Sequence, residues 1–310
     1  MVSIILIIMA SFIFTGIVIR VKSIAAGRKG PGIFQLVRDI VRNMKKGSVY
    51  SETTGLIFQI APSIYTGTLI AAALCVPFGH SPGIISFQWD FVFFVYTLAL
   101  GKFLLVISAL DTGSSFEGMG ASREAFYSML IEPSIFMLMG SFAIVTGKTS
   151  FAEIFAALHD TGFSMPVSYT MAGLSAVLIM LIGMVENTRM PVDDPKTHLE
   201  LTMIHEVMIL DNSGFDLGLI MYSSCLRFAV FGAIAAGLFM KPGTGFFINA
   251  GIFFLVQSGY AVLVGLIESF MARFRMKKNP QFIYTITAVT LLLFIGAVHA
   301  AGITGGKITW

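Results

Sequence analysis

The chain has 310 residues, 56% hydrophobic and 12% charged, with a mean hydropathy of +0.85. Soluble domains usually carry about 25% charge, so soluble enzyme classes are excluded and an all-α polytopic membrane protein is expected. A net charge of +3 is too small to mark a nucleic-acid binder, and Cys75 and Cys225 sit in apolar stretches, without spacing that would hold zinc, haem or an iron–sulfur cluster.

Apolar runs near the 20 residues a helix needs to cross about 30 Å of hydrocarbon predict eight spans, at 2–19, 56–78, 84–110, 125–147, 167–185, 217–240, 246–267 and 281–300. The whole chain, 1–310, reads as one integral-membrane domain. The first run lacks a basic leader and a small-residue cleavage site, so it is expected to be a retained span. After it, Ile33, Phe34, Leu36, Val37, Ile40, Val41 and Met44 recur at helical spacing, with Arg38, Asp39, Arg42 and Lys45 opposite. This predicts an interfacial amphipathic helix opened by Pro31.

Between spans 3 and 4, DTGSSFEGMGASRE at 111–124 has no apolar periodicity and no GxxxxGK[ST] order, so a tight loop against another backbone is expected instead of a nucleotide site. Span 4 contains Glu132 directly before Pro133, whose missing N–H loosens the helix. Asp90, Lys102, Glu186, Arg227 and Glu268 also lie in or at the ends of spans. An ionisable group at mid-membrane costs about 2.5–3.5 kcal/mol on insertion scales. Glu132 therefore has two readings: an acid in a proton or ion path, or a carboxylate that pairs with Lys102 or Arg123 and fixes packing. After span 4, residues 150–157 suggest a short helix along the membrane.

The segment 186–216 is strongly acidic, and a helical pattern runs from Thr197 to Leu210. His198, Glu200, His205 and Glu206 do not match HExxH spacing, which disfavours a metal site. The acids read instead as a buried polar network or a docking face for a basic partner. Lys and Arg concentrate in 20–55 (Arg20, Lys22, Arg28, Lys29, Arg38, Arg42, Lys45, Lys46), 111–124 (Arg123), 186–216 (Arg189, Lys196) and 268–280 (Arg273, Arg275, Lys277, Lys278), against Lys148, Lys241 and Lys307 on the other side. The positive-inside rule then puts these four loops in the cytoplasm and both termini outside, in a cytoplasmic (inner) membrane.

Four of these segments, GRKGPGIFQLVRDI at 27–40, DTGSSFEGMGASREAF at 111–126, ENTRMPVDDPKTHLELTMIHE at 186–206 and ESFMARFR at 268–275, together resemble the membrane subunit shared by respiratory complex I and the group 4 energy-converting [NiFe] hydrogenases. The PVDDPKTHLELTMIHE run is more similar to formate hydrogenlyase and Ech-type hydrogenases than to complex I. The resemblance spans nearly the whole chain. It implies an eight-span subunit, without a catalytic centre or cofactor of its own, that joins a redox arm to antiporter-like membrane subunits. The partners implied are the hydrogenase large and small subunits and a ferredoxin-like subunit, which would hold the NiFe centre and iron–sulfur clusters.

By the same resemblance, Glu132 matches the glutamate of the family's fourth long span, Glu186 with Arg189 matches an acid and base at the cytoplasmic end of the next, and Glu268, Arg273 and Arg275 match its ExxxxRxR element. This implies an ion path through Glu132, Glu186, Lys102 and Glu268. It also implies an interface with the redox arm at Arg28, Arg38, Asp39, Arg123, Glu124, Arg189, Asp193, Asp194, Glu200, Glu206, Arg273 and Arg275. Charge changes in the arm would bias protonation of the buried acids. The alternatives are a quinone-chamber subunit of a complex I-type oxidoreductase and a purely structural anchor. A stand-alone carrier is disfavoured because no internal repeat is visible.

Overall fold

The computed structural model describes residues 2–79, 81–158, 166–193, 203–240 and 243–303, with the side chains of 166–171 and 301–303 outside that set. Its helices are α1 (Val2–Ala25), α2 (Gln35–Met44), α3 (Leu56–Cys75), α4 (Asp90–Asp111), α5 (Ser115–Thr146), α6 (Phe151–Ala157), α7 (Pro166–Glu186), α8 (His205–Met208), α9 (Gly214–Gly237), α10 (Phe246–Phe270) and α11 (Asn279–Ile303). The described residues form no strand beyond a single bridge between Phe78 and Ser81.

The chain is a multi-pass membrane protein. Among the described residues seven helices, α1, α3, α4, α5, α9, α10 and α11, are long and apolar enough to cross a bilayer, and the described side chains of α7 add a shorter apolar helix, Ala172–Glu186. Because α9 is apolar around its circumference, it takes the centre of the bundle. Its run from Cys225 to Gly237 is buried throughout, and it packs against α1, α2, α3, α7 and α10. Around it α3 lies on α4, α5 on α11 and α1 on α10. Small residues set the closest approaches. At Gly101 a Cβ would overlap the Thr68 hydroxyl of α3, so glycine there brings α3 and α4 together beside Lys102.

Several expected boundaries move. The first span continues past residue 19 to Ala25, because Arg20 and Lys22 remain helical; Lys22 turns to Glu268 at 3.6 Å. The amphipathic helix begins at Gln35 instead of Pro31, since Ile33 is held in a turn with its carbonyl over Gly16. It buries Ile40 and leaves Arg38, Val41, Arg42 and Lys45 outward.

The loop expected at 111–124 is mostly helix. Only a turn at Gly113 (φ +71°) separates α4 from α5. At about 1.5 Å per residue, the 32 residues of α5 extend about 48 Å, more than the hydrocarbon thickness, so this helix projects beyond the span. The anticipated close backbone approach is present inside the helix: a Cβ on Gly120 would lie 2.8 Å from the Ile204 carbonyl oxygen. Of the helix expected at 197–210, the described part is α8; 194–202 lies outside the described residues. The short helix expected at 150–157 is α6.

Candidate functional site

Near the middle of α4, Lys102 is 5% exposed, and its ammonium meets carboxylates from two other helices. Its Nζ lies 2.9 Å from Glu186 Oε2 at the end of α7 and 3.2 Å from Glu124 Oε1 on α5. It also donates to Ser128 Oγ at 3.2 Å. Glu124 and Glu186 are themselves buried. A buried ion pair survives only when the charges are closely matched and hydrogen-bonded, and here one ammonium serves two acids.

Helical spacing extends the cluster. Glu124, Ser128 and Glu132 are four residues apart on α5 and share one face. Glu132 is half-buried and lies within electrostatic reach of Lys102 and Glu186. Neither pairing anticipated for it, with Lys102 or with Arg123, forms. Lys102 is taken by Glu124 and Glu186, while the Arg123 guanidinium donates to the Met203 carbonyl at 2.9 Å. Two acids therefore share one lysine, and a third, Glu132, stands near them without an ion pair among the described residues.

From Glu186 the chain turns into a strap, 187–193, bound on all sides. The Arg227 guanidinium of α9 donates to the Glu186 carbonyl and lies 5.2 Å over the Tyr65 ring. Arg189 pairs with Glu268 at 3.3 Å and lies 5.6 Å over Phe228. Asp193 pairs with Arg273 at 2.6 Å and accepts the N–H groups of Ile204 and His205, each at 3.2 Å. The Phe274 N–H donates to the Pro191 carbonyl, and Asn279 Nδ2 to that of Val192. The strap thus connects the Lys102 cluster to the segment 268–279 through charge-assisted bonds.

A cavity of about 200 Å³ opens beside the strap. Its lining includes the polar Asn187, Arg189, His205 and Glu206 and the apolar Ile19 and Ile220. The Asn187 Oδ1 atom has no hydrogen-bond partner. Among the described residues, no three His, Cys, Asp or Glu side chains gather as a metal site would require.

The expected path residues Lys102, Glu186 and Glu132 come together, whereas Glu268 is reached through Arg189. The expected interface residues divide. Arg28, Arg38 and Arg275 are exposed, Arg123, Arg189, Glu206 and Arg273 are half-buried, and Asp39 is half-buried and accepts from Gln35 Nε2 at 3.0 Å. Glu124 and Asp193, expected to face the redox arm, are buried and paired inside the chain. Asp194 and Glu200 lie outside the described residues.

Buried or half-buried acids that sequence reasoning passed over serve the framework. Glu117 accepts the Asp211 N–H at 2.9 Å. Asp111 accepts those of Gly55 and Phe58 at 2.8 and 3.2 Å, closing the start of α3. Asp216 accepts the Tyr50 hydroxyl at 2.7 Å, and this bond raises the Tyr50 pKa above its ordinary value. Each shares a segment with Gly, Ser or Thr, a composition that resembled loops.

A family model described as NADH dehydrogenase matches residues 1–299. Formate hydrogenlyase subunit 4 of Escherichia coli K12 is 27% identical over 88% of this chain and 89% of its own length. Hydrogenase-4 component C of the same organism is 28% identical over 77% of this chain and 74% of its own. A subunit of the NADH-quinone oxidoreductase of Methylococcus capsulatus is 25% identical over 89% of this chain and 86% of its own. In structure, a chain of the membrane-bound sulfane sulfur reductase, an archaeal respiratory membrane complex, superposes with a TM-score of 0.81 at 19% identity, covering 96% of this chain and 97% of that one.

Proposed function

The chain belongs to the NADH dehydrogenase family, and on that premise we propose that it is the membrane subunit of a complex I-like [NiFe] hydrogenase, which anchors the redox arm and helps couple electron transfer to proton or sodium translocation. The observation that carries this reading is the buried Lys102–Glu124–Glu186 cluster, with Glu132 two turns along α5 and the strap leading to Arg273. An anchor needs no such cluster, since a buried ion pair adds little stability over apolar packing. A coupling element needs acids whose charge state responds to a neighbour.

The hydrogenase branch is favoured because its named relatives are 27–28% identical, against 25% for the NADH-quinone oxidoreductase relative from Methylococcus capsulatus. In this reading α7 is the eighth span, both termini lie outside, and the strap, α8 and 268–279 form the cytoplasmic face in the inner membrane. The NiFe centre and iron–sulfur clusters belong to the hydrogenase large and small subunits and a ferredoxin-like subunit, and antiporter-like subunits adjoin in the bilayer. Reduction in the arm changes charge near the strap. Arg189 and Arg273 transmit that change to Glu268 and Asp193, and the strap carries it to Glu186.

The cavity lined by Asn187, Arg189 and His205 supports a second reading, a quinone-chamber subunit, which predicts activity sensitive to quinone-site inhibitors. Metal analysis separates the two. In a complex purified mildly through a tag on this chain, nickel near one per copy is expected. Iron without nickel would overturn the hydrogenase reading in favour of the quinone one.

A further inference from the structure

Lys102 is held as a bound cation would be. An ammonium has three N–H donors, and three oxygens stand against it: Glu186 Oε2 at 2.9 Å, Glu124 Oε1 at 3.2 Å and Ser128 Oγ at 3.2 Å. They come from α5 and α7, while the lysine comes from α4, so the oxygens form a cradle that the lysine enters from outside. The site is almost closed, with Lys102, Glu124, Ser128 and Glu186 each less than a tenth exposed. Two carboxylates and a hydroxyl are also the ligand chemistry an alkali cation takes.

We propose that Lys102 is the ion-selecting residue of this subunit: its ammonium fills a monovalent-cation site made by Glu124, Ser128 and Glu186, so that protons and not alkali cations pass this point. The proposal deepens the coupling reading above and rests on it. A second cation entering the cradle would sit within a few ångströms of a fixed positive charge in a poorly screening surrounding, where repulsion is strong. A proton feels the same repulsion, but it needs no coordination shell: one carboxylate oxygen suffices to hold it, and it moves between acids that are already present.

The test reads thermal unfolding of the purified complex at constant ionic strength, with sodium or potassium exchanged for choline. Lys102→Ala empties the cradle and leaves room. Its unfolding temperature should fall in choline and recover by more than half in sodium or potassium, with bound radioactive sodium retained on a desalting column. Lys102→Met fills the same space without charge and should stay low in every salt, while the unaltered complex should be indifferent. If Lys102→Ala does not assemble without alkali cation, the double variant Lys102→Ala/Glu124→Gln, with less negative charge, should assemble in choline and show no sodium response.

A Lys102→Ala complex indifferent to the cation, or an unaltered complex that itself needs sodium, would overturn the proposal. So would a double variant that responds as strongly as the single one. Because unfolding is read without translocation, this result is separable from the coupling reading: loss of pumping in Glu132→Gln with no cation response in Lys102→Ala would retain that reading and sink this one.

Discussion

Two buried acid sites share α4 and solve the same problem differently. Asp90, at the start of the helix, is fully buried and held by fixed neutral donors: the Phe151 N–H at 2.7 Å and the Ser150 hydroxyl at 2.9 Å. Glu186, at the end of α7, is held by Lys102, which lies about 18 Å further along α4 and offers an ammonium on a flexible stem that Glu186 shares with Glu124. The first arrangement locks α6 against α4 and leaves the carboxylate nothing to exchange. The second can redistribute charge, because the lysine has two carboxylate partners and a third acid, Glu132, stands without an ion pair among the described residues. Burial of an acid is therefore no sign of function by itself. The character of its donors separates framework from machinery.

Variants can break this comparison. Asp90→Ala orphans the buried Phe151 N–H, whereas the Ser150 hydroxyl keeps Ser86 as a partner at 3.3 Å, and should destabilise the chain by about 1–3 kcal/mol, read as a lower unfolding temperature, while ion translocation per assembled complex stays unchanged. Loss of coupling in a well-assembled Asp90→Ala complex would erase the distinction. Asp111→Ala should cost about 1 kcal/mol, the value of a helix cap, because Asp111 accepts from Gly55 and Phe58; a denaturant titration measures it, again without a coupling phenotype.

Tyr50→Phe should cost about 0.5–1 kcal/mol, a single hydrogen bond at a partly exposed site. The Tyr50 pKa is raised, chiefly by its bond to Asp216 and then by burial. The advantage of the native protein over Tyr50→Phe should therefore be complete below pH about 10, the ordinary tyrosine value, and fade as pH rises through the raised one. Parallel stability curves across that alkaline range would place the Tyr50 bond outside the fold's energetics.

Apolar run length was enough to locate the seven long helices, since only helices satisfy their backbone in hydrocarbon. What misled was polar composition. Arg20 and Lys22 looked like loop residues, yet Lys22 finds Glu268 and helix α1 continues to Ala25. The glycines and serines of 111–124 looked like a turn, but Gly120 is a contact residue inside a helix, needed where Ile204 passes. Glu132 stood out beside its proline. Glu124 was expected at the redox-arm interface by resemblance, although the four-residue spacing of Glu124, Ser128 and Glu132 already put the three on one face. The pairing of Lys102 with Glu186 joins positions 84 residues apart in sequence, and no local pattern reports it.

The most direct test of the coupling account is to reconstitute the complex carrying Glu132→Gln in vesicles and to measure ion translocation beside dye-linked hydrogenase activity. The account predicts that translocation is lost while dye-linked activity and assembly stay nearly intact. Translocation that persists in Glu132→Gln, and again in the Glu132→Gln/Glu186→Gln double variant, would contradict it and leave the chain as an anchor.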